Sequence, residues 1–252
     1  MLVLLPPSES KAERRRGRPL DLDRLSFADL TPTRRRVAEA LAEVSARPDA
    51  AEVLGVSPTL DEEIARNTRL GSAPSLPAGE CYTGVLYDAL DLASLDTASR
   101  RRAQRRLVVV SALYGAVRLG DRIAPYRLSM AVSLPGVGPV AGAWREVLDP
   151  ELSAAAGRGL VLDCRSSTYV AAWRPSGELA RRWVAVRVPG ATHMAKHTRG
   201  LVARAVSQSS ADPRSPEALA ALLREDHGFT VALHPPSSAR APHVLDVTAP
   251  TG

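Results

Sequence analysis

Leu107-Val108-Val109-Val110-Ser111-Ala112-Leu113 decides the fold class of this 252-residue chain. The run is apolar without polar alternation and rich in β-branched residues. That is the pattern of a strand covered on both faces, as in a parallel sheet flanked by helices. An arginine-rich helical stretch, residues 98–106, precedes it, and a polar turn beginning Tyr114-Gly115 follows.

Three other short runs share this form. Leu2-Val3-Leu4-Leu5 leads into Pro6-Pro7-Ser8-Glu9-Ser10-Lys11, which cannot continue as strand or helix across its prolines. Gly159-Leu160-Val161-Leu162-Asp163 leads into Cys164-Arg165-Ser166-Ser167-Thr168-Tyr169. Trp183-Val184-Ala185-Val186-Arg187-Val188 delivers the chain to Gly190-Ala191-Thr192-His193-Met194-Ala195-Lys196-His197-Thr198-Arg199-Gly200. Buried strands alternating with amphipathic helices make an α/β protein, and such proteins bind ligands at polar turns beyond strand ends.

Between the strands, residues 26–46 and 85–90 read as helices, as do 139–148 and 216–225. Residues 51–64 read as two helices joined by a tight turn at Gly55-Val56-Ser57-Pro58, the second capped by Ser57 or Thr59. This pair resembles a degenerate helix-hairpin-helix. It lacks the second glycine, and Asp61, Glu62 and Glu63 follow the turn and would repel a phosphate, so an ordinary helical hairpin is the favoured reading. Thr198 is expected to cap a helix running to about residue 210. A strand covers 229–233, and the Pro/Ser tail 235–252 is irregular with a last edge strand at 244–247.

No window approaches 18 consecutive apolar residues, so no membrane span is expected. The apolar first residues lack a basic leader and a cleavage site, and a cytoplasmic location follows. Cys81 and Cys164 make neither a disulfide framework nor a metal motif. His193 and His197 stand four apart, a metal-binding spacing only if both lie on one helix with a third ligand. They read as preceding the helix, so neither metal nor cofactor is expected. A net charge of +6 allows attraction to nucleic acid or to phosphorylated small molecules without choosing between them.

Of the 33 basic residues only Lys11 and Lys196 are lysine. Arginine supplies positive charge everywhere else, so these two positions are read as needing a compact, deprotonatable amine. Both follow strand tips, and they are expected to converge on one pocket. In an enzymatic reading Lys11 or Lys196 is the acid/base and Glu9 its partner. Arg127 and Arg199 clamp an anion, while Tyr126, Ser167 and Tyr169 orient the substrate through their hydroxyls. Ser8, Ser10, Tyr82, Thr83, Tyr114, Ser166 and His193 complete the candidate ligand contacts. Ser167 has no nucleophile elbow around it, so it binds rather than attacks.

Six motifs in order carry a family resemblance: Pro7-Ser8-Glu9-Ser10-Lys11, Tyr82-Thr83-Gly84, Leu113-Tyr114-Gly115, Pro125-Tyr126-Arg127-Leu128-Ser129-Met130, Arg165-Ser166-Ser167-Thr168-Tyr169 and Lys196-His197-Thr198-Arg199-Gly200. Together they resemble the YaaA-like peroxide stress proteins of bacteria. The resemblance implies a single domain over residues 1–252: a mixed sheet surrounded by helices, with a basic cleft at the strand ends and a helix-hairpin-helix-like element. It also implies sequence-independent DNA binding and a cytoplasmic role against peroxide, including damage linked to free iron. Ser10 departs from the pattern, standing where many members carry glycine. Two functions therefore stand side by side. One is a DNA-binding stress protein, whose scarce aromatics (4%) leave little capacity for base stacking. The other is an enzyme of specialised metabolism acting on a phosphorylated or nucleoside-like small molecule. A non-catalytic partner-binding domain is the third, blander option.

Overall fold

A computed structural model describes residues 1–190 and 193–250. Seven strands form one mixed sheet: β1 Leu2–Leu5, β2 Leu107–Ser111, β3 Gly115–Arg118, β4 Val161–Asp163, β5 Trp183–Arg187, β6 Thr230–His234 and β7 His243–Thr248. Their order across the sheet is β6-β7-β5-β4-β1-β2-β3. β1 pairs in parallel with β2 and with β4, β4 with β5, and β5 with β7. Only the edge strands β3 and β6 run antiparallel to their neighbours. β1, β2 and β4 are buried at every position, the two-faced burial that their unbroken apolar runs require.

Twelve α-helices are described: α1 Thr31–Ser45, α2 Ala50–Leu54, α3 Asp61–Arg66, α4 Ala78–Cys81, α5 Val85–Leu90, α6 Thr97–Arg106, α7 Val140–Arg145, α8 Leu148–Ala156, α9 Ser167–Val170, α10 Gly177–Ala180, α11 His193–Gln208 and α12 Pro216–Glu225. α5 and α12 coincide with their sequence-based bounds. α1 starts five residues later than expected. Phe27 sits in the left-handed region at φ 63°, and Pro32, which has no amide to donate, occupies the first turn.

Two further expectations fail. Residues 244–247 are not an edge strand: β7 lies inside the sheet between β5 and β6, so the segment after Pro235 is not irregular throughout. Thr198 does not cap a helix, because α11 begins at His193 and carries Thr198 buried in its interior. Met194, Ala195 and Lys196 are all adequate helix formers, which lets the helix start early.

Arginines fasten helices to one another. Arg106 donates to the carbonyls of Val206, Ser209 and Ala211, and Arg102 donates to those of Ser207 and Gln208. These satisfy carbonyls in the last turn of α11 and in the segment just beyond it. Arg204 does the same for Leu90 and Asp91 at the end of α5.

The strand order reverses at β1: the chain leaves it for β2 on one side and later returns to β4 on the other. The crevice beyond the carboxyl ends of β1 and β4 is the position where open α/β sheets bind ligands.

Candidate functional site

A cleft of about 510 Å³ opens at that position. Its walls come from segments far apart in the chain. Ser8, Glu9, Ser10 and Lys11 follow β1, Arg127 and Ser129 follow β3, Ser166, Thr168 and Tyr169 follow β4, and Lys196 and Arg199 lie on α11 after β5. Thr83, Gly84, Val85 and Tyr87 add a wall at the start of α5, and Leu54, Gly55 and Val56 add the turn of the α2–α3 hairpin.

The Lys11 backbone is fixed along the Cys81–Tyr82 segment. It forms a β-bridge with Tyr82, and the Ala12 amide donates to the Cys81 carbonyl at 2.8 Å. Its Nζ donates to the carbonyls of Ser8 at 2.7 Å and Glu9 at 3.3 Å, and stands 4.3 Å from the centre of the Tyr126 ring. Desolvation lowers its pKa to about 8, with the nearby Arg127 charge also lowering it against the opposing influence of Cys81 and Glu9. Roughly one amine in ten is then neutral at pH 7.

Arg127 is held through its main chain. The amide of Arg127 donates to Asn67 Oδ1 at 2.9 Å, and Asn67 Nδ2 donates back to the Arg127 carbonyl at 3.0 Å and to Ser45 Oγ at 3.0 Å. Asn67 is wholly buried, so this two-sided grip excludes water. The Arg127 guanidinium remains 22% exposed, 3.7 Å from a Glu9 carboxylate that is itself 79% exposed. Exposed pairs of that length hold each other weakly, which leaves the guanidinium available to a ligand.

Tyr169 lines the cleft with its hydroxyl pushed up to about 12, chiefly by desolvation. It therefore keeps its proton at neutral pH and is a hydrogen-bond donor rather than a base. The loop beneath it is anchored by Arg165, which reads from sequence as part of a ligand motif but is buried. Its Nε and Nη2 meet Asp163 at 2.9 and 2.7 Å, and its Nη2 also donates to the Trp173 carbonyl at 2.9 Å.

Four candidate residues do not line this cleft. Tyr126 lies below it, its hydroxyl 2.7 Å from Ser111 Oγ and 3.4 Å from the Tyr82 hydroxyl. It presents a ring face to Lys11 and positions the amine, with no free hydroxyl for a substrate. Tyr82 is likewise buried at the Lys11 bridge, facing a neighbouring groove. Tyr114 sits in the core, donating to the Ala124 carbonyl at 2.8 Å. Ser167 opens α9 on the exposed side. The backbone of His193 begins α11, and its side chain lies outside the described residues. Among the described residues no three His, Cys, Asp or Glu side chains are grouped to hold a metal ion.

Asn67 carries no signal that sequence reasoning could use. It lies in the polar run Arg66-Asn67-Thr68-Arg69, sixty residues from its partner.

Residues 1–233 match the model of the family described as peroxide stress protein YaaA. The chain belongs to that family. It is 49% identical over 255 residues to a UPF0246 protein of Streptomyces coelicolor, with 98% of each chain covered. A UPF0246 protein of Corynebacterium efficiens is 38% identical over 242 residues, covering 93% of this chain and 96% of its own. One from Corynebacterium glutamicum is 36% identical over 225 residues, covering 86% and 89%.

Two family motifs end in glycines that the packing demands. Gly115 has φ +70°, and a side chain there would meet the Trp144 ring at 2.5 Å. A side chain at Gly200 would meet the Leu86 carbonyl at 2.2 Å, so only glycine lets α11 lie against α5 and bring Lys196 to the cleft. The hairpin is different. Its Gly55 and Val56 amides donate to Glu52 and Ala51 within α2, and its Thr59 and Leu60 amides are satisfied by Ser57. Those four donors are used within the turn itself.

Proposed function

We propose that this member of the peroxide stress family binds a small phosphate-bearing ligand in the cleft and exchanges a proton with it through Lys11. The observation that carries the reading is the cleft's charge. Lys11, Arg127, Lys196 and Arg199 line it from three separate chain segments, against one carboxylate, Glu9. Convergence of cations of that kind resists itself in the absence of an anion, while a phosphate gains charge-assisted hydrogen bonds from the guanidinium groups. Its size also suits a small molecule. Calorimetry with inorganic phosphate, pyrophosphate and nucleoside monophosphates tests the reading. Arg127→Gln and Arg199→Gln should each weaken binding about ten-fold or more. Lys11→Arg should keep most of the affinity and lose proton transfer. Absence of any binding at low ionic strength sinks the proposal.

A second reading, sequence-independent binding of duplex DNA, is favoured by one feature: the α2–α3 turn stands on the rim of the cleft. A DNA titration decides between them. Affinity for a duplex should fall steeply with salt if several phosphates are contacted, whereas a single bound phosphate gives a shallow dependence.

A further inference from the structure

We propose that Lys11 forms an imine with the carbonyl carbon of an anionic aldehyde or ketone seated in the cleft, Arg127 holding the anion. This rests on the anion-binding reading of the cleft and extends it to a covalent step.

Three observations converge. Lys11 is one of two lysines in a chain that uses arginine for every other cation, and a guanidinium cannot perform this reaction. The amine is built in, its backbone clamped to Tyr82 and its Nζ placed over the Tyr126 ring at 4.3 Å, with the cleft on its open side. The groups around it are those the step uses: Arg127 for the anion, and the protonated Tyr169 hydroxyl from another wall of the cleft. Burial holds part of the population neutral against the opposing pull of Glu9 and two carbonyls.

The step balances without any oxidant. The ammonium first gives one proton to solvent. The nitrogen lone pair then attacks the carbonyl carbon, forming a C–N bond while the oxygen takes a proton, and the resulting carbinolamine loses water to leave C=N.

The test uses the full chain with pyridoxal 5′-phosphate as a phosphate-bearing aldehyde, pyridoxal as its phosphate-free counterpart, and cyanoborohydride to reduce the imine to a stable secondary amine. Peptide mapping by mass spectrometry locates the adduct. The chain offers only three kinds of amine: Lys11, Lys196 and the α-amine of Met1, which is paired with Asp212 at 2.9 Å. The expected result is an adduct concentrated on Lys11 and slowed ten-fold or more by excess inorganic phosphate. Labelling confined to Lys196 or Met1 overturns the proposal, and mapping of the unaltered protein gives this answer whether or not Lys11→Arg folds. If Lys11 stays unmodified while calorimetry detects phosphate, the imine fails and the anion site survives. If Lys11 reacts equally with both aldehydes and phosphate does not compete, the imine stands and the anion site fails.

Discussion

At the scale of single residues, Lys11 ties stability to pH. In an unfolded chain it holds its proton to about 10.5, and in the folded protein only to about 8. Between those values the unfolded state binds more protons, so unfolding becomes harder as pH rises. Below 8 both states carry the charge and the folded state bears the full burial penalty. Urea titrations of wild type and Lys11→Met from about pH 7.5 to about pH 9.5 should show the difference moving in favour of wild type. A difference that stays flat would place Lys11 in open water. Buried Tyr82, Tyr87, Tyr114 and Tyr126, all raised well above their ordinary value, act in the opposite direction and only above that window. The cysteines give a second expectation. Cys81 and Cys164 are completely buried with thiols pushed up to about 12, so neither is poised to react with peroxide. A disulfide reagent at neutral pH should titrate no thiol in the native protein and both after denaturation; rapid labelling of native Cys81 would contradict its burial. Which residues border the cleft was partly legible, since Lys11, Arg127, Tyr169 and Lys196 follow recognisable strand tips. The inward aim of Tyr126 and Tyr114 was not, because Ser111 and Ala124, which capture their hydroxyls, become their neighbours only on folding.

Among elements, the closeness of α11 to α5 controls where Lys196 and Arg199 stand. Gly200→Ala should separate the two helices and destabilise the protein by about 1–3 kcal/mol, the range for forcing a methyl into a packed contact. The expected signature is a lower urea midpoint with weakened phosphate binding. An alanine variant with unchanged midpoint and affinity would show that the helices are not pressed together. The four strand runs and helices such as Val85–Leu90 were readable because apolar periodicity is a local property. The start of α11 was misjudged for the converse reason. A threonine after polar residues resembles a cap, and the contacts that make it a buried interior position come from distant chain segments.

Across the whole molecule, the sheet interior ends with residues late in the chain. β7 pairs on one side with β5 and on the other with β6, and lies beyond residues 1–233 where the family match ends. Deleting residues 235–252 should leave β5 with an open hydrogen-bonding edge and β6 without its neighbour. The shortened protein should aggregate on size-exclusion chromatography; a monodisperse species with native circular dichroism would show that β7 is dispensable. Its place was not legible in the sequence, since a short strand after a Pro/Ser segment resembles an edge, and pairing partners are decided by non-local geometry.

The interior seat of β7 also sets a timetable. Translation proceeds from the amino end, and β5 is complete before β7 begins. Until β7 has been made, β5 lacks one of its two hydrogen-bonded partners and keeps an open edge. A chain released before His243 would therefore carry that unpaired edge into solution, where a second copy could pair with it.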